Sequence, residues 1–440
     1  MSLRYAIAPA VRATAAPPIP KAKAWGPVYA ASSAASTAPL LDLSQGVPGT
    51  APHPRVLAAL SEHAGTFEAA KYGSIHGEGA LRTALAAELR EKYGVGPGAL
   101  EQADVGITTG CNMAFLTLLM VLCEPHTSSV LIPVPAYFNH AMSLSLQSVE
   151  PAYIPADPAQ GFRPSLAAAR AVLEQGAARV NGRDVTPRAI VLVTPNNPTG
   201  ATYDGETLKQ WYDLAKEFRV PLVLDETYRD FVDAPHGLFA EPDWRETLIS
   251  LGSFSKGYRV PGHRLGSITA SPALLHEVAT VLDCMQICPP RTAQLALAPL
   301  LPELRGDLAE GSAAVAARRR LFEDVVNAVP GWHVASSGGY FAYVRFPEAY
   351  GARAAELGLA QGERVGSEAV ARVLGERCGV VTLPGAFFMP ALDDPVWARI
   401  PDAEALRADQ WIRFAIANVS DEVIKQLGPR LEKLNAIVGV

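Results

Sequence analysis

Before Asp42 the sequence contains no aspartate or glutamate, while Arg4, Arg12, Lys21 and Lys23 are basic and Ala, Pro and Ser dominate. That composition matches part of an organelle transit segment, but the prolines interrupt any amphipathic helix and no unbroken apolar core suits a secretory signal. Residues 1–40 therefore read as an extended N-terminal arm on a cytoplasmic protein, with organelle targeting the lesser alternative. Paired cysteines are also missing. Cys111, Cys123, Cys284, Cys288 and Cys378 are odd in number and form no Cys-x-x-Cys, so neither a disulfide framework nor a zinc site is indicated, no metal is expected, and a reducing compartment fits. No apolar run approaches the roughly 20 residues that span a bilayer; the longest, Met113 to Cys123, is broken by Thr117 and reads as a buried helix. A basic excess is absent too. The net charge of −6 argues against a nucleic acid or an anionic membrane as partner and for small-molecule substrates. There is no internal repeat and no heptad run.

What is present is a chain of 440 residues, 49% hydrophobic and 19% charged, long enough for a large domain plus a smaller one. Helical periodicity in Gly79 to Tyr93 and Met113 to Cys123 alternates with short apolar runs: VLIP at 130–133, AIVLVT at 189–194, PLVLD at 221–225 and LISLG at 248–252. Continuous apolar runs of that length are the pattern of strands buried on both faces, so an α/β layer with a mostly parallel central sheet flanked by helices is expected. After about residue 305 long Ala-, Arg- and Leu-rich stretches precede alternating segments such as GYFAYVRF at 339–346, which suggests a smaller α+β unit. Gly351 to Gly366 reads as a surface insertion or helix of that unit.

The polar clusters of the large unit follow its predicted strands, where open α/β sheets bind ligands. Lys256 sits in Ser253-Phe254-Ser255-Lys256, ahead of Gly262-His263-Arg264-Leu265-Gly266. A lysine is ordinarily a solvated surface residue. One desolvated beside other cations loses its proton more readily and can condense with an aldehyde, while Arg264, Ser253 and Ser255 suit a phosphate. Asp225, at the end of PLVLD, could merely cap a helix, or could face a pyridine nitrogen, with Tyr228 beside the ring's phenolic oxygen. Asn197, in PNNPTG, lies in a turn and can donate to the same oxygen. Thr108-Thr109-Gly110-Cys111-Asn112 opens a helix whose free N–H groups form an anion site. Tyr137 is a core tyrosine or a stacking ring. Arg413, inside the apolar Trp411 to Ala417, needs either an ion pair or a bound carboxylate, and the carboxylate is favoured.

With these motifs in order, the chain resembles the class I and II aminotransferases of pyridoxal-phosphate fold type I, from Leu43-Ser44-Gln45-Gly46 through Tyr72-Gly73 to Trp411-Ile412-Arg413. PNNPTG, DETY and SFSKGYRVPGHRLG carry that resemblance. It implies a small-domain segment at 41–65, a large cofactor-binding domain at 66–304 and a small C-terminal domain at 305–440. It implies that Lys256 carries pyridoxal 5′-phosphate as a Schiff base and moves the substrate α-proton. By the same resemblance Asp225 holds the ring nitrogen, Asn197 and Tyr228 the phenolic oxygen, and Tyr137 the ring face. Gly110, Cys111, Asn112, Ser253, Ser255 and Arg264 hold the phosphate, with Tyr72 reaching the partner's phosphate in a homodimer with shared sites. Arg413, with Gly46 and Asn197, clamps the substrate carboxylate. The implied reaction moves the amino group of an L-α-amino acid to a 2-oxo acid.

Cys111 departs from the small or hydroxyl residues usual in that loop. Asp283 lies near where dicarboxylate-specific members carry an arginine, which argues against aspartate as donor, although Arg291 nearby keeps it open; Tyr137, Phe138, Phe387 and Phe388 suggest an aromatic or bulky neutral donor. The competing readings are a lyase on the same scaffold and a non-enzymatic ligand sensor. The sensor is disfavoured because the roughly 40 residues ahead of the matching region are too few for a winged helix.

Overall fold

The alternation of the apolar strands divides their side chains between two layers. Ile190, Leu192, Leu222 and Leu224 enter one hydrophobic cluster, while Ala189, Val191, Val223 and Ile249 enter another on the opposite face. A sheet covered on both sides is the reason these runs are continuously apolar. The computed structural model describes residues 5–180, 182–232, 234–360 and 362–440. Its central sheet runs in the order Val105–Thr108, Gly266–Thr269, Leu248–Ser253, Leu222–Asp225, Arg183–Val193, Ser128–Val134, Glu150–Asp157, with short edge pieces beyond. Pairing is parallel from Leu248–Ser253 to Glu150–Asp157, and Gly266–Thr269 runs antiparallel to both its neighbours. All four predicted apolar runs fall on these strands.

Helix Gly79–Tyr93 buries Leu81, Leu85, Leu89 and Tyr93 at successive turns and stops at the left-handed Gly94. The run read as a buried helix is Cys111–Leu122, packed through Phe115, Leu118 and Leu119. The C-terminal region forms a four-stranded antiparallel sheet, His333–Gly338, Phe341–Arg345, Trp411–Ala415 and Leu383–Pro384 in that order, backed by helices Arg305–Asn327, Ser367–Cys378 and Leu427–Val438. The stretch 41–65 divides: Leu41 and Leu43 pack into the C-terminal core, whereas Val56 and Leu60 of helix Pro54–Ala64 join the large-sheet core. Gly351 to Gly366 follows on from a short turn of helix, Glu348–Ala352, and buries Leu357.

The arm is not extended. It folds into three short helices, Pro9–Ala13, Ile19–Lys23 and Trp25–Ala30, the first two with proline in the first turn, where a missing N–H costs no helical bond. Ala22, Trp25 and Tyr29 are buried, so the prolines segment the helix without preventing it. Among the described residues no helix is long and apolar enough to cross a membrane.

Candidate active site

Strand register gathers the polar clusters. Asp225 pairs with Val193 on one side and Leu251 on the other, which places the Asn197 turn and the Ser253–Lys256 loop on either side of its carboxylate. Gly266 pairs with both Ser253 and Thr108, so the antiparallel strand joins the lysine loop to the start of helix Cys111–Leu122. Arg264, left-handed at φ 53°, lies just before that strand. A Cβ on Gly110, itself at φ 83°, would stand 2.3 Å from Arg264 Nη2; only glycine lets the guanidinium lie over this turn. Backbone N–H groups, a guanidinium and two hydroxyls thereby meet at one edge, the donor set of a phosphate.

Lys256 is half-buried, and its Nζ donates to the carbonyl of Gly46. Gly46 is required by close approach, since a Cβ there would lie 2.5 Å from the Phe341 ring. Burial, followed by repulsion from Arg413 and Arg264 and offset by Asp225, draws the lysine amine down to about 8. Asp225 is buried, and burial pushes its carboxyl up. His140 Nε2 at 3.2 Å from Oδ2 and the Thr227 N–H at 3.0 Å from Oδ1 outweigh that and hold it below the usual carboxylate range. The acid is thus kept ionised in a site that would otherwise favour its neutral form. Cys111 does not turn toward the anion cradle: its Sγ lies 3.7 Å from Asp225 Oδ1, and burial raises its thiol well above the ordinary value.

Arg413 is 2% exposed and has no carboxylate partner among the described residues. Its Nη1 donates to Asn197 Oδ1 at 2.9 Å and its Nη2 to the Ser44 carbonyl, but Nε is without a partner. The guanidinium lies 4.5 Å from the Phe341 ring centroid and 5.0 Å from that of Phe388, and burial lowers it to about 10. A buried cation with a spare donor is suited to an anion. With its oxygen on Arg413, the Asn197 amide keeps Nδ2 to donate elsewhere.

Tyr137 is half-buried beside His140, ring centroids 5.3 Å apart, and accepts from Asn139 at 3.0 Å. Tyr228 is buried against Tyr340 and Phe341, and burial raises its hydroxyl well above the ordinary range. Ser255 is buried and its N–H donates to Ser253 Oγ at 3.2 Å; Asn112 is exposed at the helix start. Tyr72 stands apart, 80% exposed. Asp283 is exposed as well, while Arg291 is fully engaged: Nε to Glu78 at 2.6 Å and Nη2 to Glu68 at 2.7 Å.

Together these groups fit a planar, phosphate-bearing pyridine with an aldehyde: a cradle for the phosphate, an ionised acid for the nitrogen, an amine of lowered proton affinity and an anion-seeking arginine. Sequence reasoning missed His140, Ser44, Tyr340 and the roles of Phe341 and Phe388. His140 lies three residues after Tyr137 on the next helix, and that spacing was its only local signal.

The family model described as aminotransferase class I and II matches residues 38–431. An aromatic aminotransferase of Arabidopsis thaliana is 26% identical over 350 residues, 78% of this chain and 81% of that one. A valine–pyruvate aminotransferase of Mycobacterium tuberculosis is 30% identical over 310 residues, 69% of this chain and 74% of its own. Among solved structures, the aspartate aminotransferase of Rhizobium meliloti superposes with a TM-score of 0.79 at 21% identity, covering 99% of both chains.

Proposed function

The chain belongs to the class I and II aminotransferases, and from that premise we propose that it takes the amino group of an aromatic or bulky neutral L-α-amino acid and passes it to a 2-oxo acid through Lys256. It is an aminotransferase of fold type I and its cofactor is pyridoxal phosphate. When bound, that group supplies an aldehyde for the Lys256 amine and a conjugated ring that accepts the electron pair left at the substrate α-carbon.

The residues divide the remaining work. Gly110, Cys111 and Asn112 offer backbone donors to the phosphate, joined by Ser253, Ser255 and Arg264. Asp225, held ionised by His140, keeps the ring nitrogen protonated. Asn197 Nδ2 and the Tyr228 hydroxyl would hold the phenolic oxygen, and Tyr137 would cover the ring. Arg413 takes the substrate carboxylate, with Asn197 and the backbone around Gly46 fixing its fork. The Lys256 amine, when free, would lift the α-proton and redeliver it. Tyr72 is 80% exposed, and that exposed ring supports a homodimer in which it would reach the phosphate site of the partner subunit.

The observation that carries the donor reading is Arg291. Its guanidinium is taken by Glu68 and Glu78, so a distal carboxylate would have to displace both acids. Phe138 and Phe388 instead bring aromatic rings 5.7 Å apart between centroids, and the Phe388 ring centroid lies 5.0 Å from the Arg413 guanidinium. With pyruvate as acceptor, phenylalanine, tyrosine or methionine should exceed aspartate in kcat/KM by at least roughly tenfold. A preference for aspartate or glutamate would overturn this donor assignment.

The lowered amine gives a pH test. A lysine brought from 10.5 to about 8 is protonated and unreactive below that pH and a free nucleophile above it. The rate at which the apoenzyme recombines with its cofactor should therefore rise with pH to a midpoint near 8, read from the growth of the cofactor absorbance. A midpoint near 10.5 would show that the site does not perturb Lys256.

A further inference from the structure

The alternating segment GYFAYVRF begins with the hairpin turn between His333–Gly338 and Phe341–Arg345, at the edge of the active site. Strands His333–Gly338 and Phe341–Arg345 pair antiparallel, and the turn between them presents Gly339 and Tyr340 to the large domain. Phe341 already has its place, under Arg413 and against Gly46. Tyr340 belongs to none of the roles above.

Its surroundings are specific. The Tyr340 hydroxyl donates to the main-chain carbonyl of Lys256 at 3.1 Å, and its own carbonyl accepts from Ile416 N–H at 2.9 Å, which anchors the residue in the small-domain sheet. Its ring is 3% exposed and packs on Phe231 at 4.8 Å and Tyr228 at 5.4 Å between centroids. Lys256 Nζ stands 5.7 Å from the centroids of both Tyr228 and Tyr340. The lysine is therefore held at two places by one residue: its peptide by the hydroxyl and its amine against the ring face.

We propose that Tyr340 is a positioning residue for Lys256, its hydroxyl fixing the main chain from which the free amine reaches the substrate α-proton and its ring keeping water from that amine. The physical argument is one of reach. Once displaced, the amine sits on a flexible four-carbon stem, and proton transfer requires it within hydrogen-bond distance of the α-carbon. Fixing the start of the stem narrows the volume the amine samples, and misplacement by an ångström is costly to rate. Because the clamp comes from the other domain, Lys256 is held in place only when the small domain is seated.

The two halves of the claim separate in two variants. Tyr340→Phe keeps the ring and removes the hydroxyl. It should lower kcat by roughly three- to tenfold, the worth of one hydrogen bond, with KM within about twofold. With an α-deuterated donor, the primary isotope effect on kcat should rise, because proton transfer becomes more rate-limiting. An unchanged kcat, or a fall in kcat without a larger isotope effect, overturns the positioning role. Tyr340→Ala opens the amine to water, so in the apoenzyme the pH midpoint for reductive methylation of Lys256 should move up from about 8 toward the ordinary lysine value, while Tyr340→Phe leaves it in place. An unmoved midpoint in Tyr340→Ala overturns the shielding role. The proposal rests on Lys256 as the proton-transferring amine; retained turnover in a Lys256 variant would sink that reading, whereas these variants test Tyr340 alone.

Discussion

Lys256→Ala should reduce turnover by on the order of 10⁴-fold or more, because it removes both the attachment amine and the group that moves the α-proton. The Gly46 carbonyl that accepts from this amine, the Tyr228 and Tyr340 rings beside it and the opposing pull of Arg413, Arg264 and Asp225 all converge on one Nζ. Lys92 is engaged elsewhere, 3.9 Å from Asp230. Borohydride treatment of the wild-type holoenzyme should fix the cofactor to the peptide that contains residue 256, and the variant should show no fixed cofactor. Retention of wild-type turnover in Lys256→Ala would end the central assignment. Lys256→Arg is the stricter control: it keeps a cation but cannot release a proton near neutral pH, so it should be as inactive as the alanine variant.

The second large effect is at Arg413. Removing a buried charged partner of a carboxylate commonly costs several kcal/mol, so Arg413→Met should lower kcat/KM by roughly 10²- to 10³-fold, expressed mainly in KM. Arg413→Lys should recover little, since one ammonium cannot reproduce the fork that holds Asn197 Oδ1 and the Ser44 carbonyl while leaving Nε for a ligand. Stability should behave differently. Because no carboxylate among the described residues pairs with Arg413, its loss strands no buried anion there, and methionine can fill the space between Phe341 and Phe388. The melting temperature of Arg413→Met should change by no more than a few degrees. A large fall in melting temperature with little change in KM would mark Arg413 as a structural cation.

The strands, and the polar groups that follow them, were legible in the sequence because each depends on residues close together in the chain. PLVLD ends in an acid because a buried strand delivers Asp225 to its carboxyl edge, and a glycine ahead of Cys111–Leu122 leaves helix N–H groups free. The nature of the groups that gather there follows from residue type alone. One expectation about the surroundings fails. The prolines of the arm suggest an extended chain, yet proline in a first turn is compatible with helix, and Trp25 and Tyr29 find a core to bury in. Nothing local in the sequence shows that Arg291 pairs with Glu68 and Glu78.

By itself, then, the sequence determined which elements form and which functional groups line the edge of the sheet, through local periodicity and turn chemistry. Tertiary structure alone decided how they are aimed. The contacts that tune the site join residues far apart in the chain: Tyr340 to Lys256 across 84 positions, Arg413 to Asn197 across 216 and to Ser44 across 369. Such pairings leave no periodic trace, because they are fixed by strand register and by how one domain seats on the other. That is why Cys111 turns toward Asp225, why His140 holds that acid ionised, and why the Tyr340 hydroxyl reaches the Lys256 carbonyl.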